Sequence, residues 1–247
     1  MFRLHDKAAR LMGVGLLLFL FAGIAGAQSV SISPTIITLG EDREIGTFTL
    51  SNSGDRETTI HARVYRWDQD DGQDRLTESQ DLLLAPPIFA LGPGESQVVR
   101  TGLRRSLPGA QEASYRVEFQ EVLPDARTGP EMGLRLALQI SVPVFIGPLE
   151  PGSADLSWTV HYDRSAGEAV IAVENQGYAH ARLTRMALVH QDDDRILAQP
   201  GRQLNYVLPG AAREWRMPVD RQQARHAVLE VRGRAGSDDI NVSLDLE

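Results

Sequence analysis

Two groups of residues in this 247-residue chain have types and spacings that could do chemistry. The first is a run of carboxylates, Asp68, Asp70, Asp71 and Asp74, around Gly72. Such oxygen ligands suit calcium, but a ~12-residue calcium loop closes on an acidic ligand. Counted from Asp68, that position is Ser79. The run reads instead as the solvated tip of a hairpin. The second group is Leu134, Leu136, Leu138 and Ile140, alternating with Arg135, Ala137, Gln139 and Ser141. In a strand this spacing puts the four large apolar side chains on one face. The chemistry open to that strand is association. Main-chain groups on a free edge pair with a strand from another chain, while the apolar side chains fill its pockets. Inside a closed sandwich the same face is ordinary core.

Nothing else resembles a reactive constellation. His61, His161, His180, His190 and His226 are dispersed, and each reads as solvent-facing or locally bonded. No pair of histidines or carboxylates has metal-ligand spacing. There is no cysteine, which removes disulfides, thiolate metal sites and thiol nucleophiles. A nucleophile elbow, a phosphate-cradling glycine loop and a zinc-protease helix motif are all missing from the sequence. No catalytic residue, metal or cofactor is therefore expected.

The positions that position the leucine strand begin after a leader. Arg3, Lys7 and Arg10, the apolar run 11–23 and the small residues Ala25-Gly26-Ala27 predict a secretory signal peptide over 1–27, cleaved before Gln28. No second long apolar run follows, so the mature chain is expected to be exported and not inserted in a membrane. The formal net charge is −8, and removing Arg3, Lys7, Arg10 and Asp6 with the leader makes it −10. An acidic chain with scattered arginines argues against nucleic acid or anionic membrane as partner. Lys7 is the only lysine. Arginine suits bidentate pairing with carboxylates, although genomic composition accounts for its use equally well.

Beyond the leader the chain reads as all-β, with short alternating segments between turn signals at roughly 8–12-residue spacing. The strands predicted in the first half are 30–39, 44–51, 58–67, 97–103, 113–121 and 133–145. Those in the second half are 154–162, 169–175, 181–190, 195–198, 212–218, 226–233 and 241–245. Between the halves, Gly147-Pro148-Leu149-Glu150-Pro151-Gly152 ends a strand and forms a short, stiff hinge. The expected organisation is two immunoglobulin-like β-sandwich domains, 28–148 and 149–247, held at a near-fixed angle. Asn175-Gln176-Gly177 is expected to turn with positive φ, and Pro86-Pro87 to keep its stretch out of a central sheet.

Several of these segments, in order, resemble one family. They are Val30-Ser31-Ile32-Ser33-Pro34-Thr35, Leu50-Ser51-Asn52-Ser53-Gly54, Ala85-Pro86-Pro87 through Leu91-Gly92-Pro93-Gly94-Glu95, and Ser114 through Pro124. The leucine strand ending Pro143-Val144-Phe145-Ile146-Gly147-Pro148 follows, with Val173-Glu174-Asn175-Gln176-Gly177-Tyr178 and Leu208-Pro209-Gly210 in the second half. Together they look like the PapD-like periplasmic chaperones of the chaperone–usher pathway, closest in pattern to the subgroup accompanying spore-coat-U-like pilins. The resemblance implies a non-enzymatic periplasmic chaperone that lends a strand to pilin-like subunits and passes them to an outer-membrane usher. It assigns subunit binding to Leu134, Leu136 and Leu138, with Ile140 as a fourth. An exposed donor strand would also give the free form a route to self-association.

This chain departs from the family at the positions that usually anchor the subunit's terminal carboxylate. The Arg of the first strand and the Lys late in the leucine strand correspond to Ile36 and Pro143. The Arg of the usual interdomain ion pair is replaced by Gly147, which leaves its partner position, Glu112, to be read as a surface carboxylate. Arg63, Arg66, Arg100 and Arg135 are the other candidate cations. Two competing readings stand beside the chaperone. One is an exported structural or adhesive immunoglobulin-like protein with a closed sandwich. The other is an exported hydrolase on a β scaffold, for which no convergent polar site is visible.

Overall fold

The computed structural model describes residues 30–40, 43–104, 109, 111–123, 137–147, 153–201, 206–235 and 238–246. They form two immunoglobulin-like β-sandwiches in series, almost without helix. The first has strands β1 (Val30–Ser33), β2 (Ile37–Leu39), β3 (Ile45–Asn52), β4 (Thr58–Asp70), β5 (Gln73–Glu78), β6 (Leu82–Ala85), β7 (Ile88–Leu91), β8 (Ser96–Leu103), β9 (Ala113–Glu121) and β10 (Gln139–Ile146). One sheet runs β1-β3-β8-β6, and the other runs β2-β10-β9-β4-β5 with β7 also pairing β4. Alternate residues from both face inward: Phe48, Leu50 and Val99 meet Ile60, Val117, Phe119, Val142 and Val144. The rings of Phe48 and Phe119 meet edge to face with centroids 5.2 Å apart, a favoured aromatic geometry.

The expected first strand is two strands, because Pro34 has no N–H to continue a ladder. After β1 pairs β3, the chain crosses to the other sheet and β2 pairs β10 in parallel, Val144 opposite Ile37 and Ile146 opposite Leu39. Gly46 makes that crossing possible. A Cβ there would lie 2.7 Å from Cγ2 of Ile37, so any larger residue would push β2 away. Pro86-Pro87 separates the edge strand β6 from β7, which belongs to the opposite sheet, in keeping with expectation.

The second sandwich has β11 (Leu156–Asp163), β12 (Glu168–Asn175), β13 (Ala181–His190), β14 (Ile196–Ala198), β15 (Tyr206–Val207), β16 (Ala212–Pro218), a single-turn helix α1 (Arg221–Ala224), β17 (Ala227–Ala235) and β18 (Asp238–Asp245). Its sheets are β11-β12-β16 and β14-β13-β17-β18, with β15 also on β13. Ile171, Val173 and Met217 pack against Leu188, Leu229 and Val231 between them. The leader and the proposed division between 148 and 149 lie outside the described residues.

Each sandwich is tied by a buried asparagine at the end of a strand, β3 in the first and β12 in the second. Asn52 donates from Nδ2 to the carbonyls of Arg56 and Leu91, at 2.7 and 3.0 Å, and accepts from Gly54 N–H at 2.9 Å. Asn175 donates to the carbonyls of Ala179 and Val207, at 2.9 and 3.0 Å, and accepts from Gly177 and Asp155 N–H. Gly177 is not in the positive-φ region as expected. Its requirement is space, since a Cβ would fall 2.3 Å from the Ser153 carbonyl oxygen. Asn175→Ala strands three buried backbone groups, and one that is half-buried, at ~1 kcal/mol or more for each buried one. It should lower the melting temperature of the second sandwich by more than ~10 °C, read by calorimetry.

Candidate functional site

The register of β10 on β9 decides what its free side offers. Gln139 lies opposite Gln120 and Ile146 opposite Ala113, and Glu121 N–H donates to the Leu138 carbonyl at 2.8 Å. Alternation then turns the main-chain groups of Leu138, Ile140, Val142, Val144 and Ile146 toward β9. Those of Gln139, Ser141 and Pro143 point outward. Strand β2 covers that outer side from the Pro143 carbonyl to Ile146, so among the described residues the edge from Gln139 to Ser141 is open. Pro143 is placed where its missing N–H costs no ladder bond, as expected of proline at a sheet edge.

The side chains of this strand follow the same period. Val142, Val144 and Ile146 are in the core, and Ile140 is half-buried against it. Leu138 continues the row, half-buried just beyond the end of β10. Its N–H donates to Oε2 of Glu121 at 3.2 Å, and Oε1 of that carboxylate accepts from Thr58 at 2.9 Å. Leu134 and Leu136 lie outside the described residues. The row therefore leaves the sandwich core and runs toward the open end of the sheet. Leu123, at the end of β9, is exposed beside that end.

The opposite face of the same sheet meets the second sandwich. Trp67 and Phe145 from the first domain pack with Tyr206, Leu208 and Ala211 from the second, and Ile36 lies against them. The Trp67 ring centroid is 6.0 Å from Phe145 and 5.4 Å from Tyr206. Gln69 reaches across like a piece of backbone. It donates to the Tyr206 carbonyl at 2.9 Å and accepts from Leu208 N–H at 3.0 Å. The acidic hairpin turns at Asp71 and Gly72, with φ of 49° and 69°, but its tip is not merely solvated. Asp74 pairs with Arg213 of the second domain, which also donates to the Gly72 carbonyl at 3.3 Å.

Glu112 is not a surface carboxylate. Its side chain is only 5 % exposed and accepts from His180, from the backbone N–H at 3.2 Å and with Nδ1 at 2.7 Å. The Glu112 N–H donates to the Tyr178 carbonyl at 2.8 Å. His180 is therefore a domain bridge rather than a solvent-facing residue, and its ring stacks on Phe145 at 3.6 Å. The link missing at Gly147 is made by a histidine from the far domain. Sequence spacing could not reveal this, because the partners are 68 positions apart.

Ile36 and Pro143 are packing residues at this junction: Ile36 joins the aromatic cluster and Pro143 is buried. Of the other candidate cations, Arg63 is exposed and donates to His61, and Arg100 is exposed on the other sheet. Arg66 is tied to Asp68 and the Tyr115 hydroxyl, and Arg135 lies outside the described residues. The cation that reading the sequence missed is Arg116. It lies directly opposite Pro143 on β9, with its guanidinium 3.9 Å from the centroid of Trp67 and 5.9 Å from that of Tyr206. It has no hydrogen bond or ion pair among the described residues. Burial pushes its pKa down, with Asp74 and Tyr206 partly opposing. Arg182, from the second domain, faces the same Tyr206 ring at 5.9 Å. Trp67 Nε1 is buried here without a partner. The junction thus holds polar donors that nothing in the described chain satisfies. Only the alternation of Ser114-Tyr115-Arg116-Val117 hinted that Arg116 faces away from the core.

Among the described residues no group of three or more His, Asp or Glu is arranged to hold a metal, and no helix is long and apolar enough to cross a membrane. A family model described as the pili and flagellar-assembly chaperone, PapD N-terminal domain, matches residues 29–151. No curated protein sequence matches the chain significantly. Solved structures with the same fold include a chain of the CsuC–CsuE chaperone–tip adhesion subunit pre-assembly complex from archaic chaperone-usher Csu pili of Acinetobacter baumannii. It is 19 % identical with a TM-score of 0.64, and covers 87 % of this chain and 97 % of that one. The Salmonella enterica SafA pilin–SafB chaperone complex gives 17 % and 0.63, covering 88 % and 97 %. The E. coli chaperone DraB gives 15 % and 0.60, also covering 88 % and 97 %.

Proposed function

We infer that this chain belongs to the PapD-like pilus-assembly chaperones, whose N-terminal domain model matches residues 29–151, and we infer its mechanism from that membership. It binds pilin-like subunits by donating the strand that begins at Leu134, and delivers them to an outer-membrane usher. The observation that carries this is the open edge Gln139–Ser141 continuous with the row Leu138, Ile140, Val142. An incomplete subunit sandwich finds there both main-chain partners and apolar side chains in the alternation its own missing strand would supply. Leu134 and Leu136 extend the row by register. Four such side chains are worth ~6–12 kcal/mol gross, before association costs. The role calls for no catalytic group and no cofactor. It is exercised in the periplasm after removal of residues 1–27, with the domains 28–148 and 149–247. The pattern at Pro143-Val144-Phe145 favours clients of the spore-coat-U-like kind.

Arg116 takes the place of the missing basic pair. It is beside Pro143, has no hydrogen-bonded or ion-paired partner among the described residues, and lies on aromatic rings that hold its planar fork in place. A subunit's terminal carboxylate is the charge that fits, with Arg182 across the junction. Arg116→Ala should weaken capture of a pilin-like subunit by ~10- to 100-fold, measured by titrating a subunit refolded from denaturant against the purified chaperone. Arg116→Lys should recover part of the loss. The same variant should discriminate little against a subunit whose C-terminus is amidated. If Arg116→Ala binds as tightly as the parent, the anchor lies elsewhere.

A further inference from the structure

Far from the donor strand, three arginines converge at one end of the second sandwich. Arg164, on the turn after β11, and Arg221 and Arg225, at either end of α1, line a cavity of about 120 Å³ with Tyr162, Ala224 and Leu246. None of the three side chains has a hydrogen bond or ion pair among the described residues. The carboxylates beside them in sequence are engaged elsewhere. Asp163 accepts from Ser165 Oγ at 2.6 Å and from two backbone N–H groups, and faces Arg216 at 3.7 Å. Asp220 caps α1, accepting from Gln222 and Gln223 N–H at 2.9 Å.

Three arginines line one small cavity, and Arg221 and Arg225 lie four positions apart, where like charges are unfavourable on a helical turn. In a chain of formal net charge −8, such a concentration with no paired carboxylate among the described residues is conspicuous. Its volume is well below the ~300–1,000 Å³ of pockets for larger organic ligands. The forked donors of arginine match carboxylate and phosphate oxygens two at a time. The apolar wall of Ala224 and Leu246 raises the strength of any such pairing by excluding water on one side.

We propose that this cavity binds a compact oxyanion, either free phosphate or the carboxylate of an acidic segment. The full chain, in chloride buffer, is titrated with inorganic phosphate and separately with an acetylated, amidated tetraglutamate peptide, at constant ionic strength. Binding is followed by calorimetry. Saturable binding of one equivalent is expected, weakened by at least ~10-fold in Arg221→Gln/Arg225→Gln. It should be unchanged in Arg43→Gln/Arg100→Gln, which removes the same charge from the other domain. Tighter binding of phosphate identifies a free anion as the source, and tighter binding of the peptide identifies an acidic protein segment. The proposal is overturned if neither probe binds, or if both arginine pairs matter equally. α1 is exposed on its arginine side, and an unchanged melting temperature confirms that the variant is folded.

Discussion

Leu138→Asp should abolish subunit capture while leaving the free protein folded. Leu138 is half-buried at the point where the apolar row leaves the core, and its main-chain groups are already held by Glu121. Replacing the side chain removes ~1.5–3 kcal/mol of burial in the complex. It also forces a carboxylate into an apolar pocket of the client, which costs a further few kcal/mol unless the group is neutralised. Together these predict at least ~100-fold weaker binding. In the free chain the aspartate has solvent within reach and loses only part of a packing contact. Glu121 nearby adds some repulsion, so a modest drop in melting temperature is expected, not unfolding. Co-expression with a pilin-like subunit, purification through a tag on this chain and a thermal melt of the eluted protein read both quantities. Unfolding of Leu138→Asp, with Leu138→Ala still binding normally, would mean that this row is closed core and that the chain is an exported immunoglobulin-like structural protein.

The second large effect concerns the junction. Trp67 is 1 % exposed, yet it belongs to neither sandwich core. It packs with Phe145 and Tyr206, under the Arg116 guanidinium. Trp67→Ala should therefore cost ~3–5 kcal/mol of coupling between the domains, with little damage inside either. Calorimetry should show one unfolding transition in the parent becoming two in the variant. Small-angle scattering should show a wider spread of interdomain angles. The bonds of Gln69, Arg213 and Glu112 across the same boundary remain, so the domains stay associated but lose their fixed setting. A single, merely lower transition would place Trp67 in the stability of the first sandwich instead. Because Arg116 rests on Trp67, subunit capture should fall as well.

Much of the fold was legible from alternation alone. Strands 113–121, 181–190 and 212–218 have the predicted limits, although a bulge between Leu183 and Arg185 breaks the alternation of the second. Strands β5, β6, β7 and β15 were not predicted. β5 is exposed throughout and has no apolar alternation to show, and β15 has two residues. The donor row was legible because its spacing is local. The junction was not, since Glu112–His180, Gln69–Leu208 and Arg213–Asp74 join residues 68 to 139 positions apart. A lone histidine or glutamine has no pattern until the partner strand is beside it. Arg116 was hidden for the same reason: its neighbour Pro143 is set by register, not by sequence distance.

Pro143 also bears on how a bound client is let go. Between Gln139 and Pro143 the free main-chain groups are the N–H and carbonyl of Gln139 and of Ser141, because the parallel pairing of Val144 with Ile37 directs the Ile37 N–H to the Pro143 carbonyl. A client strand on this stretch would run out of partners at Pro143, which has neither an N–H nor a free carbonyl to offer. Such a ladder can be unpicked residue by residue from that end, each step breaking few bonds before a competing strand makes its own. On the proposed donor-strand role, holding and hand-over would share one strand, with its weak point at Pro143.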